Sequence, residues 1–237
     1  MVSRRVDLST KLGPARSQGH RSTCLAFAVS AAHETALYDD HDLLDTSEEY
    51  LYWAAKQRDT PGPGTTFAAI RDGLAESGQP LEEAWPYDKG REDHLPTYQP
   101  PAAAHSAEPR WSPPLSPVPA TPKSVHTELD AGRAVVLGIP TWPDLDTPTE
   151  GHLSVPANSD LDGAHHAVAV IGYDEQTAEM LIRNSWSETW GIDGTAWLPF
   201  AFLDEHLCAT WVIAPTTATA TTPGLPSSAA RYGSSEE

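Results

Sequence analysis

Gln18-Gly-His-Arg-Ser-Thr-Cys24-Leu-Ala-Phe27 is the stretch on which the reading of this chain turns. It is a polar loop running into an apolar helix, and the cysteine stands at the junction. Thr23 is placed to cap a helix from Cys24 to about Tyr38, through Leu25, Phe27, Val29, Ala32 and Leu37. Apolar residues on most of its faces predict a buried central helix. At the first turn of such a helix, unpaired backbone N–H groups and the positive dipole end favour thiolate over thiol, and thiolate is the nucleophilic form. The same N–H groups, that of Cys24 above all, can donate to an oxyanion formed when sulfur attacks a carbonyl. Gln18, upstream on the loop, is placed to supply a second donor through its amide.

Around this stretch the first half reads as helical. Thr46 and Glu49 have capping-box spacing and open a helix from Glu48 to about Lys56. Pro61-Gly-Pro-Gly64 is a turn cluster. A third helix carries Phe67, Ile70 and Leu74 at helical spacing, with Gly78 as its stop. Residues 95–122 hold nine of the 22 prolines and read as an extended, irregular connection. Beyond it a short helix from about Val125 to Ala131 stops at Gly132, and strands dominate. Ala134 to Leu137 begins one, His166 to Tyr173 and Met180 to Ser185 form a pair turning over Asp174 to Glu179, and Trp211 to Ile213 is the last. The Thr/Ala/Ser/Pro/Gly-rich tail at 215–237 has little to bury and reads as disordered.

Composition narrows the functional classes. An apolar fraction of 39% with 8 Trp in 237 residues is that of a globular protein. Fifteen Lys plus Arg against 33 Asp plus Glu give a formal charge of -18, which repels nucleic acid phosphates and anionic membrane surfaces. It permits basic substrates, although a solvated acidic surface is its commoner meaning. The N-terminus has Arg4 and Arg5 but no apolar region behind them, so no secretory signal is read there. No apolar run nears the ~20 residues a bilayer requires. Two cysteines, Cys24 and Cys208, make no disulfide framework and fit a reducing cytoplasm; Cys208 reads as a buried thiol.

Two further segments complete a chemistry. In Asp162-Gly-Ala-His-His166-Ala-Val-Ala-Val-Ile-Gly-Tyr173 a histidine opens an apolar strand, where it can hold its ring at the edge of a cleft. There it can take a thiol proton and later protonate a leaving amine. In Leu181-Ile-Arg-Asn184-Ser-Trp186-Ser-Glu-Thr-Trp190-Gly191, Asn184 can accept from the other imidazole N–H, and Trp186 can cover that bond. The adjacent histidines invite a metal reading, but no third ligand stands at a recognisable spacing, so neither metal nor other cofactor is expected.

Together these segments resemble the papain family of cysteine peptidases. That family runs Gln-Gly-x-Cys-Gly-Ser-Cys-Trp-Ala-Phe, then His-Ala-Val with a following Gly-Tyr, then Asn-Ser-Trp-Gly with a following Trp-Gly. This chain keeps the step from Gln18 to Cys24 and Ala26-Phe27 after it. It also keeps His166-Ala167-Val168 with Gly172-Tyr173, and Asn184-Ser185-Trp186 with Trp190-Gly191. The resemblance covers roughly Val6 to Ile213, and Pro80 to Tyr87, with its Trp-Pro-Tyr ending, and Trp197 to Leu203 also look like bacterial members. It implies Cys24 as nucleophile, His166 as base and acid, Asn184 as the residue orienting it, and Gln18 in the oxyanion hole. It selects His166 over His165, because the family's catalytic histidine directly precedes Ala-Val; strand alternation then turns His165 to the other face. By the same resemblance Gly64 offers backbone hydrogen bonds to an extended substrate, Thr65 to Phe67 lie near a side-chain pocket, and Trp186 borders the substrate.

The implied fold is α+β and two-lobed: a helical lobe over 11–94, a Pro-rich connection over 95–122 and an antiparallel, barrel-like β lobe over 123–214, with the cleft between them and the tail outside this catalytic domain, 1–214. The implied reaction is hydrolysis of peptides or proteins through a thioester, with no obligate protein partner. Two alternatives stay open on the same site, an acyl or peptidyl transferase and a catalytically silent peptide-binding module. The chain departs from the family at Arg21, where a disulfide cysteine is usual, at Leu25 and at Ser187, and with Val6 standing where the family's mature enzyme begins, no pro-segment is expected. His20 and Arg21 add positive charge beside the nucleophile and could favour acidic substrate groups, although solvent-exposed loop charge is its commoner meaning.

Overall fold

A computed structural model describes residues 3–38, 43–95 and 97–213; the tail at 215–237 lies outside the described residues. In chain order the elements are β1 (Arg5–Asp7), α1 (Cys24–Leu37), α2 (Glu48–Lys56), α3 (Phe67–Ser77), β2 (Gln79–Pro80), α4 (Ala102–His105), β3 (Arg110–Trp111), β4 (Leu115–Val118), α5 (Pro122–Asp130), β5 (Val135–Pro140), β6 (His165–Asp174), β7 (Glu179–Arg183), β8 (Thr195–Pro199), α6 (Ala201–Glu205) and β9 (Ala209–Ile213). The fold is α+β and two-lobed, with α1 to α3 on one side and an antiparallel sheet on the other. That sheet runs β4-β9-β5-β6-β7-β8, and β1 pairs with β6.

Helix α1 is buried from Cys24 through Thr35 and packs against β5, β6 and β9, so it forms the wall between the lobes. Its cap differs from the sequence reading: the Thr23 hydroxyl makes no cap bond and lies 2.7 Å from the Tyr87 hydroxyl. Helix α2 likewise starts from Ser47, whose Oγ accepts from Tyr50 N at 3.1 Å. Thr46 instead gives both its N–H and its hydroxyl to buried Glu34. Helix α3 keeps its expected end, because Gly78 stands at φ +66, where a side chain would be strained.

The Pro-rich stretch is less irregular than its composition predicts. It contributes α4, β3 against β2, and β4 against β9; Pro117 stands in β4, which is an edge strand of the sheet, where a missing N–H is tolerated. Strands β1 and β8 escaped the sequence reading because each is short, and β1 carries two charged residues among three. Gly172 admits β1: a Cβ there would lie 2.4 Å from the Val6 carbonyl oxygen. Across the lobes the Phe67 ring stacks on Trp211 at 5.1 Å. Among the described residues no helix is long and apolar enough to cross a membrane.

Candidate active site

Cys24 is the first residue of α1 and is wholly buried. Three backbone N–H groups, those of Ala167, Leu25 and Cys24 itself, favour its thiolate, while burial acts more strongly and pushes the thiol up to about 12. Ala167 belongs to β6 and follows His166, so the nucleophile helix and the histidine strand meet at the sulfur.

His166 is also fully buried, and its Nε2 lies 2.7 Å from Asn184 Oδ1. The same Oδ1 accepts from Ser185 N at 2.8 Å. A backbone N–H can only donate, so this bond fixes the amide with its oxygen toward the ring. Nε2 is then the protonated nitrogen, and Nδ1 is left basic; it has no partner among the described residues. Burial pushes the imidazole down to about 4, opposed by the Asn184 bond. Burial therefore favours the neutral form of both the thiol and the imidazole. Trp186 lies over the ring, centroids 4.7 Å apart, and meets Trp190 edge-on. His165, next along the strand, is only half-buried.

The Gln18 amide is buried and fixed at both ends. Its Oε1 accepts from Ser185 Oγ at 2.6 Å, and its Nε2 donates to the Arg21 carbonyl at 2.7 Å. One N–H of that amide is not used by these two bonds and can donate to a further acceptor. The loop is itself pinned to the Asn184 loop, with Gln18 N donating to Ser185 O at 2.8 Å and Ser187 N to Arg16 O at 3.1 Å. Cys24, His166, Asn184, Gln18 and Trp186 are thus brought into one site.

Beside His166 opens a cleft of about 630 Å³, lined among others by His20, Trp142, Asp146, Asp162 and Trp186, and by no Lys or Arg among the described residues. Gly64 is not among the residues lining it; Gly64 is buried, and its carbonyl accepts from Lys56 Nζ at 3.1 Å. Arg21 also departs from expectation. Its side chain is 6% exposed and forks onto Glu49, so it offers no free positive charge to a substrate. Cys208 is half-buried rather than buried, and both cysteines are free. On the far side of Asn184 a second cavity of about 350 Å³ holds Arg16, Glu34, Glu48 and Arg183. The sequence reading missed Ser185 and Tyr87 as site residues. Both stand in motifs quoted above, but neither motif gives its role, because each acts on a partner far along the chain.

Residues 2–202 match the family described as papain family cysteine protease, and the chain belongs to that family. Among curated relatives it is 28% identical to cathepsin K of Mus musculus over 194 residues, 78% of this chain and 55% of that protein. It is 27% identical to Peptidase 1 of Dermatophagoides farinae over 184 residues, 76% of this chain and 55% of the relative. The chain therefore spans about half the length of these relatives. Among solved structures, xylellain, a cysteine protease from Xylella fastidiosa, superposes with TM-score 0.71 at 24% identity, covering 90% of this chain and 86% of that one. The Carica candamarcensis cysteine protease CMS1MS2, in complex with E-64, superposes with TM-score 0.67 at 21% identity, covering 87% and 96%. At such identities the likeness is one of fold.

Proposed function

We propose that this chain hydrolyses peptide bonds through a thioester acyl-enzyme, with Cys24 as nucleophile, His166 as base and acid, Asn184 orienting the ring, and the Gln18 amide with the Cys24 N–H as oxyanion donors. One observation carries the reading: the Cys24 sulfur meets the N–H of Ala167, while Asn184 holds the far nitrogen of the preceding histidine. The thiol proton passes to His166 Nδ1 and sulfur attacks the carbonyl carbon. The oxyanion collapses, the C–N bond breaks, and the imidazolium gives its proton to the departing amine. Water, deprotonated by the same nitrogen, then opens the thioester and frees the thiol.

The group that receives a proton from His166 is the leaving amine, so the cleft beside that ring takes the portion of substrate after the scissile bond. Asp146 and Asp162 make this side negative, which suits a basic residue there. Gly64 is assigned the backbone of an extended substrate by family likeness, and Trp186 the roof over the imidazole. The catalytic unit spans about 1–214, and two free cysteines suit a cytoplasmic setting.

The test is cleavage of a peptide library by the purified chain beside Cys24→Ala, with iodoacetamide labelling of Cys24 and with E-64 as inhibitor. The expected result is cleavage that Cys24→Ala and E-64 both abolish. A new amide product when an amine is added would establish transfer instead. A Cys24 that resists labelling at neutral pH, with no cleavage, would establish a silent binding module.

A further inference from the structure

Arg21 makes more bonds than its place in a surface loop would lead one to expect. Its Nη1 and Nη2 fork onto Glu49 at 2.7 and 2.8 Å, the carboxylate being fully buried. Its Nε meets Asp93 at 3.2 Å, and Nη1 also donates to the Asp88 carbonyl at 2.9 Å. The guanidinium sits 4.8 Å from the Tyr87 ring centre and 5.7 Å from those of Tyr52 and Tyr98. The Glu49 carboxylate also meets Arg91 Nη1 at 3.2 Å and accepts from the Tyr98 hydroxyl at 2.7 Å, but the two-pronged fork is made with Arg21 alone, so these two hold each other in one geometry.

What this clamp holds is the loop before the nucleophile. The Arg21 carbonyl accepts from Gln18 Nε2 at 2.7 Å and from Thr23 N at 2.8 Å. Tyr87, under the guanidinium, donates its hydroxyl to the Gln18 carbonyl at 2.7 Å and lies 2.7 Å from the Thr23 hydroxyl. The two N–H bonds of a planar amide diverge at a fixed angle. Fixing one on the Arg21 carbonyl therefore aims the other.

We propose that Arg21, clamped to Glu49, is a positioning residue that aims the Gln18 amide at the oxyanion, acting on the transition state rather than on formation of the thiolate. This rests on the peptidase reading given above. An oxyanion donor acts only where charge develops on the carbonyl oxygen, whereas alkylation of sulfur by iodoacetamide needs the thiolate and no oxyanion hole. The two reactions therefore separate positioning of Gln18 from general damage to the site.

The experiment compares the unaltered chain with Arg21→Lys, which keeps the charge and loses the fork, and with Glu49→Asp, which keeps both charges and shortens the reach. Each is measured for kcat and KM on a peptide amide and for the iodoacetamide rate at fixed pH, below its own melting temperature. The expected result is a fall in kcat on the order of 10- to 100-fold at nearly constant KM, with alkylation within about 2-fold of the unaltered chain. In a Gln18→Ala background, Arg21→Lys should cost almost nothing more, since the donor it aims is gone. Parallel loss of hydrolysis and alkylation, unchanged kcat in both variants, or multiplicative losses with Gln18→Ala would each overturn the proposal. Absence of Cys24-dependent hydrolysis in the unaltered chain would instead remove the peptidase reading itself, and this one with it.

Discussion

His166 Nε2 and Asn184 Oδ1 lie 2.7 Å apart, and both side chains are buried. The bond joins the second residue of one strand, β6, to the residue just past its neighbour, β7, so the hairpin itself sets the ring's orientation. Sheltered from water, such a bond is electrostatically stronger than the same contact on a surface.

Asn184→Ala should lower kcat on the order of 10- to 100-fold, less than the 10²–10⁴ associated with losing a general acid–base outright. The nucleophile and the base remain while the ring's tautomer and direction are freed. Steady-state kinetics against the unaltered chain checks this, and an unchanged rate would exclude the orienting role.

The pH dependence of stability should reveal Glu34. Burial raises its carboxyl to about 7 from an ordinary 4.5, with Thr46 and Arg16 opposing. The folded chain thus holds a proton that the unfolded chain releases, so this contribution is complete below about pH 4.5 and is lost as pH rises through 7. The loss is about 3 kcal/mol across that window. His33 and His166, each lowered to about 4, act in the opposite sense and are lost as pH falls below 6.5 toward 4. The difference between the unaltered chain and Glu34→Gln isolates the carboxyl. In urea titrations at pH 5 and pH 8, the variant should gain on the unaltered chain at the higher pH. Parallel curves would show that Glu34 titrates normally.

Helix caps should rank by what else they hold. Thr121→Ala removes one exposed cap bond to Ser124 N and should cost about 1 kcal/mol. Ser47→Ala also strands the buried Trp85 carbonyl, which now accepts from Ser47 Oγ at 2.7 Å, and should cost about 2 to 3 kcal/mol. Equal midpoints in denaturant for the two variants would contradict the ranking.

Charge on the leaving side should steer cleavage. Peptides with Lys after the scissile bond should have kcat/KM a few-fold above those with Glu, the scale of exposed ion pairs at roughly 0.2 to 1 kcal/mol. Raising salt from 0.05 to 0.5 M should shrink the ratio, as should the combined change Asp146→Asn with Asp162→Asn. A ratio indifferent to both would remove these carboxylates from substrate selection.

How far the sequence led can be judged element by element. Gly78 ends α3 as local patterning indicates, because turn chemistry is written in neighbouring residues, whereas β7 stops at Arg183 and leaves outside it Asn184 and Ser185, which the sequence reading put in the strand. The caps at Thr23 and Thr46 went otherwise, since Tyr87 and Glu34 compete for those hydroxyls from elsewhere in the fold. Gln18 was legible as a candidate donor, but the Arg21 carbonyl that its amide meets was not.

From the sequence alone came the order of the reacting side chains, the helix that carries the sulfur and the strands that carry ring and amide. The helix and the strands follow from periodicity, a short-range property of a chain, and the order of the side chains from the family's motifs. The tertiary structure alone decided that Arg21 is a buried clamp rather than a charge facing substrate, with its Glu49 partner 28 residues away and Ser185 reaching Gln18 across 167. It likewise decided which buried groups are neutral, because desolvation depends on everything packed around an atom, and no stretch of sequence contains its own surroundings.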